Sequence, residues 1–211
     1  MIDKYRTQQE NFWAGEFGNE YILRSQGKEI LNSNISFFKR ALKNTKNLDT
    51  CIEFGSNIGM NIRALKEIHD FKEFHAIEIN KKAFNYLKEL VPEENIISDS
   101  ILNFKPFKKW DLVLIKGVLI HINPEMLPKV YLSLVNSCAK YLLINEYFNP
   151  KPVSIDYRGH SDRLFKRDFA GEILDSFPEM KLLDYGFLYE RDSVHKRVGS
   201  TNWFLLEKIY Q

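Results

Sequence analysis

From residue 48 onward, short apolar runs alternate with segments whose apolar residues recur every three or four positions. "LDTCIEF" has strand length and is followed by "IGMNIRALKEIH", where Ile58, Ile62, Leu65 and Ile68 fall close to helical spacing. The alternation repeats: "EFHAIEI" reads as a strand, and "NKKAFNYLKEL" as a helix with Ala83, Tyr86, Leu87 and Leu90 on one face. "NIISD" gives a short third strand, "DLVLIKG" a fourth and "YLLINEYF" a fifth. Asn123 and Pro124 cap and start a short turn, and the main helix is expected from about 128 to 140, with Cys138 on it. After residue 168 comes one helix, "DFAGEILDSF", then two strand-like runs, "KLLDYGFLYE" and "TNWFLLEK". The polar stretch 191–200 between them suits a hairpin connection. Two successive strands with no helix between them are antiparallel. The pattern therefore predicts an α/β chain: a doubly wound, Rossmann-like seven-stranded sheet ending in an antiparallel pair. Residues 1–47 are helical and aromatic-rich, with Phe12, Trp13, Phe17 and Tyr21 ahead of a helix from Ser33. Gly15 and Gly18 make the first part jointed.

Composition narrows the function classes. Thirty basic residues nearly cancel 28 acidic ones, leaving +2, which gives no electrostatic case for nucleic acid or a membrane surface. No apolar run reaches the roughly 18 residues that span a bilayer, and the first residues lack the greasy stretch of a signal peptide, so a cytoplasmic protein is expected. Cys51 and Cys138 stand alone, without a CxxC or a His/Cys cluster, and read as buried free thiols. No group at ligand spacing calls for a metal.

The candidate chemistry begins at "CIEFGSNIGM", where Glu53, Gly55, Asn57 and Gly59 occupy alternate positions. In a doubly wound sheet the ligand crevice lies at the carboxyl ends of the strands, where strand order reverses. Gly55 and Gly59 suit such an end because glycine lets backbone approach a ligand. Asn57 stands where a middle glycine is common, and asparagine tolerates left-handed φ better than most residues. Glu78 ends the second strand, 19 residues after Gly59, and can accept both hydrogens of a ribose diol; Asp99 ends the third and can meet an adenine edge. The loop is one residue shorter than G-x-G-x-x-G and has no Walker lysine. Glu53 argues for a cationic group nearby.

E-x-G-x-N-x-G, Glu78, Asp99 and the final antiparallel pair resemble class I S-adenosylmethionine-dependent methyltransferases over about 48–208. That resemblance implies S-adenosylmethionine as cofactor. It places Glu53, Gly55, Ser56, Asn57 and Gly59 at the methionyl end, Glu78 at the ribose and Asp99 by the adenine, with Asn57 a departure from the usual glycine. It also divides the chain into a helical N-terminal extension or lid, 1–47, and a methyltransferase domain, 48–211, with an acceptor-side insertion at about 148–168. Four segments, "QQENFWAGEFGNEYI", "EFGSNIGMN", "GVLIHINP" and "YRGHSDRLFKRDFAGE", resemble the bacterial methylases associated with pseudaminic acid biosynthesis. This narrower resemblance implies an anionic sugar or sugar-nucleotide acceptor of the nonulosonic acid class. A nucleic-acid (RNA) methyltransferase and a non-catalytic cofactor-binding protein are the alternatives.

Methyl transfer asks the protein mainly for positioning and a dry site. His121 follows the fourth strand and is a candidate base or a packed, positioning histidine. Asn145, Glu146 and Tyr147 end the fifth strand and are candidates to line the acceptor pocket. Trp13 and Phe17 are either a lid over the cofactor or core. The run "RGHSDRLFKR" sets Arg158, Arg163, Lys166 and Arg167 against the single acid Asp162. It reads either as a solvated turn and helix start or as an anion grip, with Arg163, Arg158, Arg167 and His160 facing the acceptor.

Overall fold

The first strand of the alternating pattern lies near the middle of a sheet that the chain winds outward from, first to one edge and then to the other. The computed structural model of the chain describes residues 5–195 and 199–209. Strands β1 (Thr50–Phe54), β2 (Glu73–Ile77), β3 (Ile96–Ile97), β4 (Trp110–Lys116) and β5 (Cys138–Glu146) are parallel. They join β8 (Met180–Leu188) and β9 (Thr201–Lys208) in the order β3-β2-β1-β4-β5-β9-β8. β9 runs antiparallel to both neighbours, as the paired final runs predict. Residues 196–198 of the expected hairpin connection lie outside the described residues. The strand order reverses between β1 and β4, so the crevice of such a sheet falls at their carboxyl ends.

Alternate residues of the central strands face opposite layers. Ile52, Phe54, Val113, Ile115, Leu142 and Ile144 join one core. It also holds side chains from α6 (Leu127–Ser137) and α7 (Phe169–Ser176). Cys51, Leu112, Leu114, Leu143 and Leu205 join the other. That one is covered by α3 (Lys28–Ala41), α4 (Met60–Lys66) and α5 (Lys81–Leu87). Burial on both faces is why these strands read as unbroken apolar runs rather than alternations. Phe37 and Phe38 of α3 are wholly buried, so this helix is core, whereas α1 (Gln8–Ala14) and α2 (Glu16–Arg24) stand over the crevice.

Two local expectations need correction, the end of α6 and the form of the basic run. α6 stops at Ser137, and Cys138 opens β5 instead of lying on the helix. Pro128 is at the start of α6, where its missing N–H costs nothing. The basic run is not a turn and helix start. It forms β7 (His160–Lys166), paired antiparallel with β6 (Val153–Tyr157) in a separate two-stranded sheet. The cause is the turn: Arg158 (φ 52°) and Gly159 (φ 83°) are both left-handed, the conformation a tight hairpin with right-twisted strands requires.

α1 and α2 meet at a close backbone approach. Thr7 and Glu10 form a reciprocal cap at the start of α1, with the Thr7 amide 2.9 Å from Glu10 Oε2 and the Glu10 amide 3.1 Å from Thr7 Oγ1. Gly18 in α2 is buried, and a Cβ there would run into the Trp13 carbonyl. Gly18→Ala is therefore expected to push α1 off α2 and cost about 1–3 kcal/mol of stability. Urea denaturation of the purified variant measures it, and an unchanged midpoint would contradict the close approach.

Candidate functional site

The carboxyl ends of β1, β2, β4 and β5 and the underside of α1–α2 enclose a cavity of about 320 Å³, within the range of small-ligand sites. Its floor is the loop after β1. Gly55 (φ 77°) packs so closely that a Cβ would lie 2.5 Å from Val118 Cγ2. Gly59 (φ 77°) packs against Leu87 and Leu90, behind the loop rather than in the cavity wall. Asn57 is left-handed (φ 47°), and its Nδ2 donates to Ser25 Oγ at 3.0 Å. The asparagine thus does what glycine cannot: it ties the loop to the end of α2.

Glu78 is the knot of this region. Its Oε2 accepts the Asn57 amide and its Oε1 the Asn80 amide, each at 2.7 Å. A carboxylate has about four lone-pair positions, so at least one stays open to a ligand. Burial raises its pKa, opposed by the amides of Asn80, Asn57 and Ile79. Asn80 in turn caps α5 and donates to the Trp13 carbonyl (3.2 Å) and Asn19 Oδ1 (3.1 Å), which links the strand end to α1 and α2. Asp99 also lines the cavity, held by the Ser100 amide (2.6 Å) and Asn103 Nδ2 (3.0 Å).

Glu53 lies beneath the loop, outside the cavity wall, with Oε1 bound by Asn61 Nδ2 at 2.6 Å and Oε2 unpartnered. Burial pushes its pKa up to about 8, against the Asn61 bond and the charge of Lys116. Glu146 Oε1 takes the amides of Val118 and Leu119 at 2.9 Å each, and burial lifts its pKa to about 7. That carboxylate holds the turn that presents His121.

His121, Tyr147 and Trp13 line the same cavity, with Tyr21 and Tyr157. The His121 ring lies 4.6 Å from Trp13 and 4.9 Å from Tyr157. Its Nδ1 meets the Arg163 carbonyl at 2.5 Å. A carbonyl only accepts, so Nδ1 carries the proton and Nε2 the free lone pair. Burial lowers the pKa to about 4, which keeps the ring neutral. Ser56 also lines the cavity, with Oγ donating to the Glu53 carbonyl.

The basic strand is only partly at the cavity. Arg163 faces α1: its guanidinium bonds Gln8 Oε1 (3.2 Å) and the Asp162 carbonyl (3.0 Å) and lies over the Phe12 ring. His160 packs on Phe12 and Phe17. Arg167 pairs with Glu172 at 2.7 Å. None of these three lines the cavity. Arg158 and Lys166 come closest, at 5.6 Å from the Tyr157 ring centre and 4.9 Å from that of Tyr147 respectively, and both rings belong to the cavity wall. Tyr157, Asn80 and Lys116 are wall residues that no sequence motif marks, and Tyr21, one of the N-terminal aromatics, joins them. Lys116 carried a signal: like Glu78, it is a charged residue closing an apolar strand.

The fold is that of S-adenosylmethionine-dependent methyltransferases. A methyltransferase of this class from Leishmania major, of the DUF858 family, superposes with a TM-score of 0.69 at 12% identity, over 95% of this chain and 87% of its own. Magnesium protoporphyrin IX methyltransferase from Synechocystis, solved with S-adenosylmethionine bound, gives 0.66 at 13% identity, over 99% and 100%. The 1,6-didemethyltoxoflavin-N1-methyltransferase of Burkholderia thailandensis, with its substrate and S-adenosylhomocysteine, gives 0.64 at 10% identity, over 93% and 92%. No protein-family model and no curated protein sequence matches the chain. Among the described residues no helix is long and apolar enough to cross a membrane, and no three His, Cys, Asp or Glu side chains group to hold a metal.

Glu53 sets a pH dependence. Its folded pKa of about 8 lies above its ordinary value of 4.5, so the folded state holds a proton that the unfolded state has lost. Stability from this group is greatest below the ordinary value and falls as pH rises towards 8. Glu53→Gln removes the effect. The gap in stability between variant and wild type is expected to widen in favour of the variant between pH 6.5 and 8. The slope is roughly 1 kcal/mol per pH unit, about 2–4 °C in Tm. Parallel melting curves across that range would contradict the assignment.

Proposed function

We propose that the protein is an S-adenosylmethionine-dependent methyltransferase acting on a small anionic acceptor. The observation that carries the reading is the cavity at the strand-order reversal, floored by Gly55–Asn57 and closed at one end by Glu78 and Asp99. The residues fit the cofactor: a Cβ at Gly55 would displace Val118, itself part of the cavity wall, and the Glu78 carboxylate suits a ribose diol. Neighbours in fold were solved with S-adenosylmethionine or its product bound. Glu78 would hold the ribose, Asp99 the adenine side, and the loop the methionyl side, with Glu53 supporting the loop from below. Trp13 on α1 would cover the ligand.

When bound, S-adenosylmethionine supplies an electrophilic methyl group on sulfur. His121 would orient the acceptor and take the proton of a hydroxyl as its oxygen bonds the methyl carbon and the methyl–sulfur bond breaks, the sulfur keeping the electron pair as S-adenosylhomocysteine; an amine acceptor would give up its ammonium proton before its nitrogen attacks. The Arg163 carbonyl sets the imidazole up for that by fixing the proton on Nδ1. Tyr147 and Tyr157 offer hydroxyls to a polar acceptor. Arg158 and Lys166, beside those rings, suit a carboxylate or phosphate at the rim. The resemblance to pseudaminic acid-associated methylases supports a nonulosonic acid, free or nucleotide-activated, as that acceptor.

Calorimetry with S-adenosylhomocysteine tests the cofactor reading. Wild type is expected to bind it and to ignore NAD. Glu78→Gln should bind more than tenfold more weakly, since hydrogen bonds to a charged group are worth about 1.5–3 kcal/mol. Binding of NAD in preference would overturn the proposal. A labelled-methyl screen over nonulosonic acids and their nucleotide-activated forms tests the acceptor. His121→Asn should lower kcat on the acceptor so found by about 10²-fold or more and leave cofactor affinity unchanged.

A further inference from the structure

Lys116 closes β4 and lines the cavity, half-buried. Its ammonium has no hydrogen bond or ion pair with any described residue. The acids at this end of the sheet are each engaged, and Arg24 of α2 is a second cation on the cavity wall. Glu53 is bound by Asn61, Glu78 by two amides, Glu146 by two more, and Asp99 by Ser100 and Asn103.

The register fixes the geometry. Lys116 pairs with Asn145 on β5, and Glu53 on β1 pairs with Leu114, two residues back along β4. Lys116, Asn145 and Glu53 therefore share one face of the sheet. Glu53 and Glu146 are the acids that act on the ammonium, from β1 and β5, and neither lies within ion-pair distance of it. Burial holds Glu53 at about 8 and Glu146 at about 7, so near neutral pH together they offer less than two full negative charges. Burial disfavours the charged form and lowers the Lys116 pKa against the pull of Glu53 and Glu146, and an anion placed beside the ammonium offsets that cost. The position of Lys116 on a cavity wall means that the contents of the cavity can supply that anion.

We propose that Lys116 is the counter-ion for a carboxylate of the bound ligand. This rests on the methyltransferase reading, in which two ligands bring a carboxylate: the methionyl end of the cofactor and an acid-sugar acceptor. The ammonium provides a compact charge and three donors for either one.

Calorimetry on wild type, Lys116→Met and Lys116→Arg separates the sources. The probes are S-adenosylhomocysteine, which has the carboxylate, and 5′-methylthioadenosine, which keeps the nucleoside and thioether and lacks it. N-acetylneuraminate, a carboxylated nine-carbon sugar, is then titrated into protein saturated with S-adenosylhomocysteine. If the cofactor is the source, Lys116→Met weakens S-adenosylhomocysteine at least tenfold, leaves 5′-methylthioadenosine unchanged, and Lys116→Arg recovers part of the loss. If the acceptor is the source, both nucleosides bind Lys116→Met as they bind wild type, and N-acetylneuraminate binding is lost. Equal behaviour of Lys116→Met and wild type towards all three probes overturns the assignment. So does equal weakening of both nucleosides, which would mark a damaged site, and melting curves of the variants identify that case. Wild type that binds neither nucleoside overturns the methyltransferase reading itself.

Discussion

The Glu78 carboxylate accepts the Asn57 amide through one oxygen and the amide of nearby Asn80 through the other, and through the side chains of those two asparagines it is linked to parts of the chain that are distant in sequence. Asn57 carries the connection to Ser25 at the end of α2, and Asn80 carries it to Trp13 and Asn19. A buried acid at the end of β2 thus holds the glycine loop, the start of α5 and the covering helices in one arrangement. Two charge-assisted bonds to backbone N–H groups offset a desolvation that still leaves the pKa raised. The lone pair that stays open is the reason the group can serve a ligand as well as the fold.

The hairpin β6–β7 makes a second connection, from the acceptor side. Gln9 Nε2 donates to the Asp162 carbonyl at 2.9 Å and Arg163 reaches Gln8, so α1 is clasped by the strand whose own backbone carbonyl orients His121. Arg163 matters here through its main chain and through its grip on α1. Cover and candidate base are set by one strand, so a change in how α1 seats is felt at the imidazole.

The sheet was legible because apolar runs of strand length and helical spacings follow each other with little interruption, and where burial on both faces removes the strand period, the shortness of the runs decides in favour of strands from β1 to β5. The strand-end residues Gly55, Asn57, Glu78 and Asp99 were legible for a related reason: polar residues directly after apolar runs fall at the crevice. Lys116 obeys the same rule but belongs to no motif. The hairpin was hidden because 158–167 holds four basic residues, whose charge suggested a solvated face. The deciding fact was two consecutive left-handed residues, Arg158 and Gly159, and only the glycine advertises such a conformation. Where a guanidinium points depends on partners such as Gln8 and Glu172, which no local pattern encodes.

The central claim is that one ligand is held between the loop after β1, the ends of β2 and β4, and the underside of α1–α2. Hydrogen–deuterium exchange with and without saturating S-adenosylhomocysteine tests it most directly, because it reports on each of these segments at once. The account predicts slowed exchange at 8–24, 55–61 and 78–83, with β8 and the tip of the β6–β7 hairpin unchanged. Binding without protection in 8–24 and 55–61, or protection confined to another surface, would contradict it.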